Sequence, residues 1–179
     1  MNACRLSSFY REVQPSQNNI PILDLSTIPK EDRHVHITVE TAAKEPNSLA
    51  TTILVENDVL LCSNHIFHVL QLDKPVAVTT ACKVLRRLTT APDGIPAYML
   101  PMIVKRSINW RVRTPITNTI QVQKILNEIA PTLKEGEVLK EEAKVLAILK
   151  QSSVIIQKCR MQIKNLHDLQ CSYISSACK

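Results

Sequence analysis

The chain has 179 residues, of which 45% are apolar and 3% aromatic, and its formal net charge is +6. This length suits one ordinary domain with a real core, and the apolar content excludes a disordered chain. Only two glycines are present, which excludes the glycine-rich phosphate-binding loops of dinucleotide-binding and P-loop proteins.

The cysteines and the apolar runs predict the compartment. The six cysteines are scattered, without the regular spacing of a disulfide framework. No apolar run approaches the roughly 18 residues of a membrane span, and the N-terminus offers no apolar signal core. We therefore expect a soluble protein with free thiols in a reducing compartment, cytoplasmic or alternatively nuclear. No cofactor is expected.

Residues 1–32 have the composition of an arm. Pro15, Pro21 and Pro29 stand among Ser, Gln and Asn residues, and each proline removes a backbone donor that regular structure needs. The sequence predicts a flexible arm over 1–32, followed by a single α+β domain over 33–179. In that domain residues 33–72 are expected to be rich in strands, and residues 73–179 to be helical.

The strands are expected in a small antiparallel sheet. Val35, Ile37 and Val39 alternate with polar residues, which is typical of a half-buried strand. The apolar runs at 51–55 and 59–62 flank an Asn-Asp turn and favour a hairpin, which gives three antiparallel strands. A helix over 48–62 is the alternative, and residues 65–72 fit either a helix or a strand.

Four helices are expected after the strands. Val78, Cys82, Leu85 and Leu88 recur every three or four residues and predict a helix over 76–88. Further helices are expected over 102–112 and 116–130, and the longest, over 137–170, contains neither proline nor glycine. The fold class is thus α+β: a small antiparallel sheet in the N-terminal half, then a mainly helical C-terminal half with a long final helix.

The final helix carries a long apolar stripe. Seven of ten positions on a 3/4 spacing are apolar: Val138, Val145, Ile148, Ile155, Cys159, Leu166 and Leu169. A second stripe lies beside the first, so the helix packs on more than one neighbour. It is either the core helix of the C-terminal half or part of an intermolecular helical pair. In the second case Val145, Ile148, Ile155 and Leu166 mediate oligomerisation.

Positive charge is concentrated in one segment. From Lys74 to Asn127 there are nine basic side chains and one acidic, whereas the rest of the chain has 13 basic and 15 acidic. Such segregation favours a polyanionic partner, bound through phosphates. A solvated or internally neutralised face is the alternative, and an acidic membrane surface fits less well. The predicted nucleic-acid-binding residues are Lys83, Arg86, Arg87, Lys105, Arg106, Trp110, Arg111 and Arg113.

The remaining candidates for chemistry are incomplete. Cys62, His65 and His68 are possible zinc ligands, but a tetrahedral site needs a fourth, so partly buried, hydrogen-bonded side chains are favoured. Residues 36–39 resemble half of the paired His-x-Thr signature of the two-histidine phosphoesterases, which requires a second copy that the chain lacks. We expect no enzyme activity.

The combined prediction is a non-enzymatic protein that binds nucleic acid, RNA above all, and self-associates through its last helix. Small size and segregated charge suit a viral accessory, matrix or nucleocapsid-associated protein by analogy. The alternative is an adaptor that binds protein partners with the long C-terminal helix and binds no nucleic acid.

Overall fold

A computed structural model describes residues 3–29, 33–39, 41, 43–45, 50–62, 66–89, 94–107, 119–131 and 137–177. Within these ranges the chain forms strands β1 (Ala3–Arg5), β2 (Tyr10–Glu12), β3 (Ile22–Leu23), β4 (His34–Ile37), β5 (Ala43–Lys44), β6 (Thr51–Ile53), β7 (Val59–Leu61), β8 (Ile66–Leu72), β9 (Ala77–Thr79), β10 (Lys83–Arg87) and β11 (Ile129–Pro131). The helices are α1 (Leu100–Ser107), α2 (Thr119–Leu126) and α3 (Glu137–Ala177). The predicted α+β class is confirmed.

The central sheet has five strands in the order β2-β10-β7-β8-β4. Its pairs are antiparallel except β4, which runs parallel to β8 at one edge. Both faces are covered, because Val59 and Leu61 pack in one apolar cluster and Leu60 packs in the other. Successive strand residues point to opposite faces, which explains why β7 is apolar at every position.

The predicted hairpin over 51–62 is wrong, although both of its strands exist. β6 belongs to a four-stranded sheet, β5-β3-β9-β6, and pairs with β9, whereas β7 pairs with β8 and β10. The turn between them is held by other parts of the chain: Leu54 N donates to Val76 O and Asn57 N donates to Val69 O. Asn57 adopts a φ of 67°, a left-handed conformation that asparagine tolerates well.

The predicted flexible arm over 1–32 is also wrong for the part that the structure describes. Residues 3–29 contribute β1, β2 and β3, and Leu6, Phe9 and Tyr10 lie in the core beside α1 and α2. The Tyr10 hydroxyl donates to Ile95 O at 2.6 Å. Gly94 is required next to it, since a Cβ there would lie 2.6 Å from Phe9 Cε1. Apolar residues before the first proline, together with Leu23 between Pro21 and Pro29, thus bind this segment to the core.

The predicted helix over 76–88 is replaced by β9 and β10, so residues 73–179 are not wholly helical. Val84 and Leu85 are buried on opposite faces of the central sheet. A strand that is buried on both faces loses its alternation, and its apolar residues then fit a helical spacing by chance. Between β9 and β10, Cys82 forms a disulfide with Cys62, with Cα atoms 4.8 Å apart. The free-thiol prediction is wrong for this pair, while Cys4, Cys159 and Cys171 are free.

The later helices follow the sequence more closely. α1 covers the beginning of the predicted helix over 102–112, α2 covers the middle of the one over 116–130, and β11 replaces its end. The long final helix is confirmed and continues to Ala177. Its 41 residues span about 60 Å at 1.5 Å per residue. α3 packs against β4 and β8. None of the described helices is long and apolar enough to cross a membrane.

Candidate nucleic-acid interface

Two of the predicted phosphate-binding residues, Lys83 and Arg86, are neutralised by the fold. Both lie on β10, and Lys83 Nζ is 3.3 Å from Glu12 Oε1 on the neighbouring strand β2. Arg86 forms two bonds with Asp58, from Nε to Oδ1 at 2.8 Å and from Nη2 to Oδ2 at 2.7 Å. A carboxylate thus accompanies each of these cations.

The Arg86–Asp58 pair is a structural element of the core rather than part of an exposed surface. Asp58 is fully buried, and Arg86 also donates to Ile53 O at 2.8 Å. Burial raises the pKa of Asp58, and the bonds from Arg86 act in the opposite direction. A buried carboxylate needs such a partner because an isolated buried charge is costly. We conclude that the binding partner of the Arg86 guanidinium is the Asp58 carboxylate of the protein itself.

The other predicted residues are dispersed. Arg87 is half-buried on β10, where it lies opposite Tyr10, and Lys105 is exposed on α1. Arg106 belongs to α1, and Trp110, Arg111 and Arg113 lie outside the described residues. Nucleic-acid binding by the predicted residues stays a prediction, and two of them, Lys83 and Arg86, are already paired with carboxylates in the fold.

A different basic surface lies between β4 and α3. There the edge strand and the segment before it face residues 149–164 of α3 across a cleft of about 670 Å³. Gln157 Nε2 on α3 donates to His36 O on β4 at 3.0 Å and so fixes the helix to the sheet edge. The cleft is defined by the longest helix and an edge strand, both of which the sequence predicted.

The lining of the cleft between β4 and α3 combines aliphatic side chains, such as Ile28 and Ile156, with cations and hydroxyl groups. Arg33 enters from the end of β4, and Arg160 and Lys164 enter from α3. Hydroxyl groups come from Thr38 and Thr41 on one wall and from two serines, Ser152 and Ser153, on the other. Among the described residues that line the cleft there is no carboxylate. Side chains of these types are the ones that contact phosphate oxygens in nucleic-acid complexes.

Two histidines of β4 complete the cleft wall. His36 Nε2 lies 2.9 Å from Asp73 Oδ1, and this bond lowers the pKa of the Asp73 carboxyl. Burial, with the nearby Arg33, lowers the pKa of His34. The His34 ring contacts His68 of β8 edge to face, with centroids 5.6 Å apart. The lowered pKa favours a neutral His34 ring at pH 7, and the permanent charges of the cleft lining come from arginine and lysine.

The zinc candidates are not brought together. Cys62 is bonded to Cys82, His65 lies outside the described residues, and His68 is fully buried in the central sheet. His68 Nε2 lies 3.1 Å from Asn57 Oδ1, so the neutral ring donates to that acceptor. Burial, then His34 and Lys150, lowers the pKa of His68 to about 3. In the described ranges no group of three or more His, Cys, Asp or Glu residues is placed to hold a metal.

The predicted oligomerisation residues divide along α3. Val145 is half-buried, whereas Ile148, Ile155 and Leu166 are 60–62% exposed. From residue 161 to residue 176 every position of α3 is exposed, including Leu169 and Tyr173. The distal part of the helix therefore presents apolar side chains to solvent, as a helix with an unfilled interface would.

The cleft residues were missed because they are remote in sequence. Arg33 stands just after the predicted arm, and Arg160 and Lys164 lie on a helix near other apolar and polar residues. None belongs to the basic segment that composition singles out. The available signal was weak: Lys158, Arg160 and Lys164 are close together without an acid among them.

The fold and the cleft together describe an α+β protein with a basic groove at the edge of its main sheet. No family model matches the chain, and no curated protein does. Among solved structures, the chain is similar to the HsdS subunit from Thermoanaerobacter tengcongensis, with 12% identity over 84% of this chain and a TM-score of 0.40. The chain spans 36% of that subunit's length. A similarity at this level assigns neither a fold nor a function.

Proposed function

We propose that this chain is a non-enzymatic nucleic-acid-binding protein and that the cleft between β4 and α3 receives the phosphate backbone. One observation carries the proposal: Arg33, Arg160 and Lys164 converge on a cleft whose described lining contains no carboxylate. Phosphate contacts from such side chains supply most of the affinity of sequence-independent binding.

The surrounding chemistry supports a backbone contact rather than base recognition. Besides its aliphatic side chains, the described lining contains hydroxyl, amide and imidazole groups but no phenylalanine, tyrosine or tryptophan. Stacking platforms for unpaired bases use such aromatic rings, and without them the cleft is suited to phosphates and sugars. Binding through it is expected to depend strongly on salt and weakly on sequence.

RNA remains the predicted ligand over DNA, and a viral accessory role remains an analogy from size and charge.

The first experiment is a binding titration with labelled single- and double-stranded RNA and DNA at several salt concentrations. We expect micromolar or tighter binding at low salt, weakening as salt increases. The absence of binding to all four probes at low salt would overturn the proposal.

A matched pair of variants locates the surface. Lys164→Glu changes a cleft residue, and Lys158→Glu makes the same change on an exposed position of the same helix outside the cleft. We expect the first to weaken binding about tenfold or more, because it replaces an attraction to phosphate by a repulsion. The second is expected to change affinity by less than about threefold. Equal effects would mean that the cleft is not the binding surface.

A second candidate function is protein–protein interaction through the distal part of α3. The observation that favours it is the row of exposed apolar side chains at Ile155, Leu166, Leu169 and Tyr173. Complete burial of a side chain of this size stabilises an interface by about 1.5–3 kcal/mol, so leaving several in water is costly. A pull-down with immobilised full-length chain tests this function. The unmodified chain should retain a helical partner, and the Leu166→Asp variant should not.

A further inference from the structure

The exposed apolar row on α3 forms a straight seam. At about 100° per residue, Ile155, Cys159, Gln162, Leu166, Gln170 and Tyr173 lie within about 40° of Leu166. Ile155 and Leu166 are 60% and 61% exposed, and Tyr173 is 75% exposed. We name these six residues the α3 seam. The rise of 1.5 Å per residue makes it about 27 Å long, comparable to a short coiled coil.

The centre of the α3 seam points away from the cationic end of the cleft. Lys164, which lines the cleft, precedes Leu166 by two residues, or about 200° around the helix, whereas Ile156, at the other end of the lining, is only about 80° from the seam direction. A partner centred on Leu166 therefore leaves Lys164 accessible. The seam itself contains no charged residue, so a partner needs no complementary charge there and two identical seams meet without like-charge repulsion.

The seam is mirrored in sequence about Leu166. Gln162 and Gln170 lie four residues to either side, and Cys159 and Tyr173 lie seven residues to either side. Ile163 and Leu169, at the seam's margins, are three residues to either side. In two helices that run in opposite directions and cross at Leu166, each of these residues reaches the height of its counterpart. The two polar positions then meet each other, amide to amide, and the apolar positions meet apolar ones.

We infer that the α3 seam pairs with the seam of a second copy of this chain, antiparallel and centred on Leu166. The basic charge that flanks the seam favours this direction over a parallel one. Lys158 lies about 80° from Leu166 around the helix, beside the beginning of the seam, and no lysine or arginine follows Leu166 before residue 179. Antiparallel pairing sets the two Lys158 side chains at opposite ends of the pair, whereas parallel pairing places these like charges together.

This inference rests on the second proposed function, since it names the occupant of the distal helix, and it is independent of nucleic-acid binding. The first test is the mass of the full chain in solution by light scattering. We expect twice the 20.1 kDa of one chain for the unmodified protein and one chain mass for Leu166→Asp. The matched control is Ser175→Asp, nine residues or about two and a half turns further on, which should leave the dimer intact.

The helix direction is tested by oxidative cross-linking. In a chain with Cys171→Ser and Cys178→Ser, adding Tyr173→Cys should produce a link between position 173 of one copy and Cys159 of the other. Mass spectrometry of the linked peptides identifies the pair. Links of 159 to 159 and of 173 to 173 would overturn the antiparallel register, and a monomer at about 100 µM would overturn self-pairing. Circular dichroism of Leu166→Asp confirms that a loss of mass reflects dissociation of folded chains.

Discussion

The basic residues of β10 and those of the cleft are similar in type but differ in what surrounds them. Lys83 and Arg86 point to Glu12 and Asp58 on or next to neighbouring strands, so their charge contributes to folding. Arg33 and Lys164 line an open cleft and form no ion pair with a described carboxylate. Local charge density along the sequence therefore does not separate paired from unpaired cations, since only the fold shows that Lys83 and Arg86 have carboxylate partners.

The largest effect is expected when the β10 pair is broken. Arg86→Ala leaves the fully buried carboxylate of Asp58 without its cation, and we expect a loss of about 3–5 kcal/mol in the free energy of unfolding. Urea denaturation at pH 7 measures it. The double variant Arg86→Met, Asp58→Leu should recover much of the loss, because no charge then remains buried. A loss below about 1 kcal/mol for Arg86→Ala would show that the pair is not structural.

A smaller effect is expected from pH, through the histidine behind the cleft wall. An unfolded His68 binds a proton near pH 6.5, whereas the folded residue stays neutral until about pH 3. The contribution of His68 to stability is therefore fully present above pH 6.5 and is lost as the pH falls toward 3, by up to about 1.4 kcal/mol per pH unit. Urea titrations from pH 7 to pH 4 should show this slope. His68→Gln should flatten it, and an unchanged slope would contradict the assignment.

The smallest effect on stability is expected in the cleft. Lys164 is exposed and carries no described ion pair, so Lys164→Ala should change the free energy of unfolding by no more than about 0.5 kcal/mol. The same urea titration as for Arg86→Ala measures it. The contrast between the two variants separates cations that fold the chain from cations available for a ligand. A loss comparable to that of Arg86→Ala would remove the distinction.

The parts of the fold that could be predicted are those whose environment is uniform along the element. β4 has one buried face, so Val35 and Ile37 alternate visibly with histidines, and α3 has an unbroken run of helix formers. β9 and β10 were mistaken for a helix because both of their faces are buried and their apolar residues do not alternate. The partners of β6 and β7 depend on contacts of the intervening turn with Val69 and Val76, which no local pattern reveals.

Less of the candidate site could be predicted. The exposed stripe of α3 was identified from its spacing, including Ile148, Ile155 and Leu166, because a helix imposes a fixed geometry on its own side chains. Arg33 and Lys164 line the same cleft although most of the chain separates them in sequence. Only tertiary packing brings such residues together. The disulfide between Cys62 and Cys82 was not predicted for the same reason, since the end of β7 and the turn before β10 come together only in the folded sheet.

The salt dependence of nucleic-acid binding tests the central claim most directly. The unmodified chain and the double variant Arg33→Gln, Lys164→Gln should be titrated with the tightest-binding of the four probes between 50 and 200 mM salt. Because each phosphate contact contributes about 0.7–0.9 to the slope of log K against log salt, the double variant should bind more weakly with a slope smaller by about 1.4–1.8. An unchanged affinity and slope would show that phosphates do not bind in the cleft between β4 and α3.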